Sequence, residues 1–182
     1  MRIRTCSLAV VALLLGLMPA PRADTSALTP NSTGPEALKP LGFLLGTWGA
    51  SGSGAPGAAT GTATFVRSLQ DRVIIRTSFA EYPATATTPA SRHDDLMIIH
   101  ATARAGVRAD YYDNEGHVMR YAVTTAGTGD VTFLSDIVGG EPRYRLTYRL
   151  SPDGLLRGTF AVAPPGKPEA FEQYLAWESR KQ

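Results

Sequence analysis

The eight residues RYRLTYRL, at positions 143–150, constrain the fold of this chain more than any other stretch. Arg143, Arg145 and Arg149 fall on one parity, and Tyr144, Leu146, Tyr148 and Leu150 on the other. A period of two is the repeat of an extended strand, whose successive side chains point to opposite faces. A strand with one apolar face must bury that face, so it needs neighbours in a sheet around a core. The same grammar runs from residue 47 to the end. Alternating runs of about six to ten residues are separated by LQDR, ARAG, DNEG, AGTGD, VGGEP, SPDG and PPGKP. Each cluster supplies turn chemistry through Gly, Pro, Asp or Asn.

The runs place strands at 47–54, 59–69, 72–82, 94–102, 106–113, 117–126, 130–137, 142–151, 154–163 and 169–180. Short connections make this an antiparallel meander. A meander of about ten strands leaves two bare edges unless it closes, so the expected fold is all-β, closed into a roughly ten-stranded barrel. EALKPLGFLL is the best helical candidate, but Pro40 and Gly42 interrupt it. It predicts a short N-terminal helical turn. The longer connection PATATTPASRH, at 83–93, reads as a mouth loop or a plain connection.

Parity assigns the faces. Tyr144, Leu146, Tyr148 and Leu150 point inward, as do Leu156, Gly158, Phe160 and Val162. HVMRYAV sends His117, Met119, Tyr121 and Val123 inward, and GVRADYYD sends Val107, Ala109 and Tyr111 inward. LMIIH is apolar on both faces. If Asp95 points out, then Leu96, Ile98 and His100 point in. Arginines are expected outside, since an unpaired guanidinium avoids an apolar interior. Candidate ligand-facing residues are therefore His100, Tyr111, His117, Tyr121, Tyr144 and Tyr148. With no inward cation assigned, the matching ligand is apolar or amphipathic rather than acidic.

LGFLLGTW, at 41–48, followed by Gly-rich alternating strands, resembles the start of nitrobindin-like barrels. It shares the Gly-x-Trp of lipocalins within the wider calycin group. The resemblance implies a calycin-like barrel in which Trp48 plugs one end, Gly46 lets the turn pass into the first strand, and Arg180 stacks over the indole. It also raises haem, which nitrobindins hold through a His on a C-terminal strand. After His117 this chain contains no His, so the carry-over fails and no cofactor is expected. YYDNEGHVMRYAV and RYRLTYRL give the impression of uncharacterised exported bacterial proteins of this shape.

The first 23 residues read as a secretory signal: Arg2 and Arg4, then the apolar SLAVVALLLGLM, then PAPRA. The apolar run is shorter than the roughly 20 residues of a membrane span. An exported protein, periplasmic or extracellular, is expected, with no stable membrane insertion after cleavage. Residues 24–37 read as a disordered leader carrying the glycosylation sequon Asn31-Ser32-Thr33, and residues 38–182 as one domain. Removing the signal takes three of 18 Lys and Arg, leaving 15 bases against 16 acids. No basic block remains for nucleic acid.

The only cysteine, Cys6, leaves with the signal, and no His-x-His or His-Glu-x-x-His spacing occurs, so no metal site is expected. His93-Asp94-Asp95 reads as loop solvation, because adjacent strand residues cannot converge. GASGSGAPGAATG lacks a following helix and Lys-Ser/Thr, so it is no phosphate loop, and its small residues suggest strong bending of the first two strands. The expected function is interior binding of a small apolar or amphipathic ligand. Two others stay open: an enzyme using inward Tyr and His for acid–base chemistry, and a filled barrel that binds a protein partner.

Overall fold

The first and last strands meet, and that contact closes the molecule. A computed structural model describes residues 34–54 and 59–182. The expected signal at 1–23, the sequon, and the leader up to residue 33 lie outside the described residues. Ten antiparallel strands follow a short helix: β1 (Gly46–Gly54), β2 (Ala59–Ser68), β3 (Val73–Tyr82), β4 (Ser91–Thr102), β5 (Gly106–Asp113), β6 (Val118–Ala126), β7 (Asp130–Ser135), β8 (Arg143–Leu150), β9 (Leu156–Ala163) and β10 (Glu172–Lys181). Each strand pairs with its sequence neighbours, and β1 pairs with β10 to complete the closed barrel. In that seam Trp48 lies opposite Lys181, and Ala50 opposite Ser179.

The N-terminal turn is α-helical over Pro35–Leu38 and tightens to a 3-10 helix over Lys39–Leu44. Residues 35–37, read from the sequence as the end of the leader, therefore form the first turn of α1 (Pro35–Leu38). Pro35 suits the first helical position, where its missing N–H costs nothing. Gly46, at φ 114°, makes the corner into β1 that a side chain would strain.

This helical segment seals one end of the barrel. Leu38, Leu41 and Leu44 are fully buried, and Trp48 is 2% exposed beside them. The Trp48 indole Nε1 donates to the Leu44 carbonyl at 2.7 Å, which ties the plug to the strand it precedes. The cation over the indole is Lys181, its Nζ 5.5 Å from the ring centroid. Arg180 occupies the opposite parity and is exposed on the outer face. The stacking role expected of Arg180 thus falls to its neighbour, because Trp48 pairs with position 181.

From this plug upward the core holds Phe65, Ile74, Met97, Ile99, Val123, Val131, Phe133 and Leu156, all on inward parities. The parities read from β5, β6, β8 and β9 hold. That of β4 is reversed: Asp95, Met97 and Ile99 point in, while Leu96 is exposed and His100 is on the outer face with Asp110 at 3.1 Å. Its register against β3 decides this, pairing Met97 with Arg76 and Ile99 with Ile74. β4 also begins at Ser91, so His93, expected in a loop, is a strand residue. Gly158 faces inward, and the indole of Trp177 lies directly on it, where any Cβ would collide.

Candidate functional site

Above the plugged end the barrel is hollow. The cavity has a volume of about 510 Å³ and opens at the end of the 83–90 connection. Its two walls differ in bulk. On one side the register lines up Trp48, Ala63 and Ser78, then Ala50, Gly61 and Ala80. The rest of the lining carries Tyr111, Tyr121, Tyr144, Tyr148, Phe160 and Trp177. The small residues of β1 to β3 leave out the volume that larger side chains would fill. Ala50 and Gly61, from the glycine-rich stretch read as a bend, contribute to that space, and residues 55–58 of the stretch lie outside the described residues. A separate hollow of about 590 Å³ runs along the outside of β1 and β2, bordered by Thr60, Glu81, Glu178 and Arg180. It gathers no buried polar groups and is a surface groove.

The four tyrosines assigned to the interior are all there. Tyr111, Tyr121, Phe133, Tyr148 and Trp177 form a chain of edge-to-face contacts with centroids 5.9–6.3 Å apart. Such contacts lock ring orientation and add about 0.5–1.5 kcal/mol each beyond burial. Tyr144 lies higher and stacks on Phe160 at 5.7 Å. His117 stands at the rim, half exposed, with Nδ1 2.9 Å from Asp113 Oδ2. His100 is on the outer face and does not reach the cavity.

The cavity's charged groups escaped the sequence reading. Arg76 points inward and is 5% exposed. Its Nε donates to Asp95 Oδ1 at 3.2 Å, its Nη2 donates to the same oxygen, and its Nη1 donates to the Tyr148 hydroxyl at 2.8 Å. The rule that arginines face water fails where a buried carboxylate awaits on the next strand. Burial alone would lower the Arg76 pKa, but Asp95 overrides it and holds the guanidinium above its ordinary value. Burial pushes the phenols of Tyr111, Tyr121 and Tyr148 up, with Asp95 adding to the effect and Arg76 opposing it. All three stay protonated and serve as hydrogen-bonding groups rather than phenolates.

A second polar chain leads from the cavity to the rim. His93 Nε2 lies 3.0 Å from the Tyr111 hydroxyl, and Nδ1 lies 2.9 Å from Glu115 Oε1. Tyr111 also donates to Asp113 Oδ2 at 3.2 Å. The only signal for His93 was its alternation with Asp95, two residues on, once both are placed on a strand. Asp113 anchors the β5–β6 turn by accepting from the backbone N–H groups of Glu115 and His117. Burial works to raise its pKa, but these donors and the His117 ring win and hold it below the ordinary carboxylate value. A depressed carboxyl pKa contributes stability that is present above the unfolded value and lost as pH falls through the folded one. Amide exchange at residues 115–117 should therefore accelerate as pH is taken below about 3.8, after correction for intrinsic rates. In Asp113→Asn that acid-dependent loosening should vanish, while unchanged behaviour would deny Asp113 the role.

The histidine by which nitrobindin-like barrels hold haem has no counterpart on the last strand. The inward positions of β10 are Leu175, Trp177 and Ser179, so no imidazole stands on that strand. Both ring nitrogens of His93 are engaged. Among the described residues no group of three or more His, Cys, Asp or Glu side chains is arranged to hold a metal ion. No protein-family model matches this chain, and no curated protein matches it either.

Proposed function

We propose that this protein is an exported barrel that binds a small apolar or amphipathic molecule in its interior. The observation that carries this reading is the two-walled cavity of about 510 Å³, apolar over most of its surface with a few polar groups at fixed places. Small-molecule sites have this character and span about 300–1,000 Å³. Arg76 does not make it an acid site, because Asp95 already neutralises that charge. Native mass spectrometry of protein purified from its own source should reveal a retained ligand. Ala80→Leu should place a branched side chain into the space beside Gly61 and weaken binding of an apolar fluorescent dye by roughly tenfold or more, with the fold intact. Dye binding that survives Ala80→Leu and is equally indifferent to Tyr148→Ala would favour a filled scaffold instead.

The Glu115–His93–Tyr111 chain favours a second reading, acid–base chemistry on the bound molecule. A histidine held between a carboxylate and a buried phenol can pass a proton between cavity and rim. Tyr111, kept protonated by burial, would act as the acid. Deuterium exchange from solvent into a bound carbonyl compound, lost in His93→Gln, would support it, and no exchange would leave binding alone.

Export and a water-facing outer surface belong to the same proposal. Support for export is the charged, then apolar, then Pro/Ala-rich order of residues 1–23. The outer face carries Arg108 with Asp136, Arg149 with Asp130, and Arg157 with Glu178. A membrane-spanning barrel turns an apolar band outward instead. Among the described residues no helix is long and apolar enough to cross a membrane. Outer arginines already paired with carboxylates also argue against a nucleic-acid partner.

A further inference from the structure

We propose that the inner end of the cavity receives a hydroxyl group of an otherwise apolar ligand, donating to Asp95 Oδ2 and accepting from the Tyr121 and Tyr148 hydroxyls. This rests on the binding reading above and names the polar group the ligand must carry.

Three hydrogen-bonding capacities there are unspent. Asp95 has a side chain only 6% exposed, and both of its bonds from Arg76 go to Oδ1. Its Oδ2 receives no hydrogen bond among the described residues, and its near neighbour, His93 Nε2, is 3.9 Å away. Tyr148 is 3% exposed. Its oxygen accepts from Arg76, and its own proton has no acceptor among the described residues. Tyr121 is 1% exposed, and its hydroxyl donates only to the thioether of Met119 at 3.4 Å. A thioether is a weak acceptor. Asp95 and both tyrosines line the same cavity, and Tyr121 sits within electrostatic reach of Asp95, Arg76 and Tyr148. Among the described residues no fully buried side-chain nitrogen or oxygen lacks a partner, so the unpartnered Asp95 Oδ2 opens onto the cavity, and a ligand that meets all three groups there gains more than one that meets a single one.

The combination selects the ligand's chemistry. A carboxylate could accept from the phenols, but it would bring a second buried anion beside Asp95, whose cation is already shared. An ammonium could donate to Asp95 but would face the Arg76 cation and two O–H donors. A ketone or ether could accept from the phenols and leave Asp95 Oδ2 without a donor. A hydroxyl both donates and accepts, is neutral, and fits all three groups.

The test uses four probes of one shape: naphthalene, 2-methoxynaphthalene, 2-naphthol and 2-naphthoate, titrated calorimetrically into the folded protein. 2-Naphthol should bind roughly tenfold or more tighter than naphthalene and 2-methoxynaphthalene, the scale of one or two buried hydrogen bonds. Tyr121→Phe and Tyr148→Phe should each weaken 2-naphthol roughly three- to tenfold and leave naphthalene within about twofold. Equal affinity for the three neutral probes would overturn the hydroxyl assignment and leave the binding cavity standing. Tightest binding of 2-naphthoate would overturn it in favour of an acid. If none of the four binds to protein that circular dichroism shows to be folded, the binding reading falls with it.

Discussion

Arg76→Met should destabilise the barrel by about 3–5 kcal/mol, the cost of removing one partner from a buried ion pair. Arg76 and Asp95 have side chains only 6% exposed each, so solvent cannot take the place of the lost guanidinium. The carboxylate would be left in the core, and the Tyr148 oxygen would lose its donor. Urea unfolding monitored by tryptophan fluorescence measures the loss as a shift in midpoint at constant slope. The double replacement Arg76→Met with Asp95→Leu should recover much of it, because a well-packed apolar pair often equals a buried ionic one. A single-variant loss below about 1 kcal/mol, typical of surface pairs, would mean that the pair is hydrated and the cavity wet at that depth.

Trp48→Ala should cost about 3–5 kcal/mol, the range for emptying a buried aromatic site. The indole sits among Leu38, Leu41 and Leu44 and holds the helical segment by its bond to the Leu44 carbonyl. Trp48→Phe should lose less, keeping most of the bulk while giving up that hydrogen bond, worth about 1 kcal/mol. Thermal unfolding of the two variants separates plug from tether. An unchanged melting temperature for Trp48→Ala would refute the plug. Lys181→Ala should have a small effect and Arg180→Ala none, since only Lys181 lies over the ring.

The outline of the barrel was legible because strand periodicity and turn chemistry are local. All ten strands lie close to their expected positions, and the helical turn is a four-residue α-helix that passes after Leu38 into a 3-10 segment containing Pro40 and Gly42. The inward tyrosines were legible because each alternates with a charged neighbour on its own strand. β4 was not: LMIIH is apolar on both faces, so period-2 reasoning had nothing to choose with. Its sidedness put His100 outside, and brought His93 and Asp95 in.

By itself, then, the sequence determined the strand count, the closed meander, the plugged end and the tyrosine-bearing wall. The strands and the tyrosine wall depend on contrasts between residues one or two apart, closure on the cost of two bare edges, and the plug on the Gly-x-Trp resemblance. Only the tertiary structure decided the polar interior. Arg76 and Asp95 meet across β3 and β4, and His93 of β4 reaches Tyr111 on the neighbouring strand β5. A guanidinium is expelled from an apolar core when alone and tolerated when paired, and whether it is paired depends on inter-strand register rather than on its own neighbours. The cavity follows the same logic. Small residues in β1 to β3 mean empty space only once closure has set them across the barrel from aromatic rings.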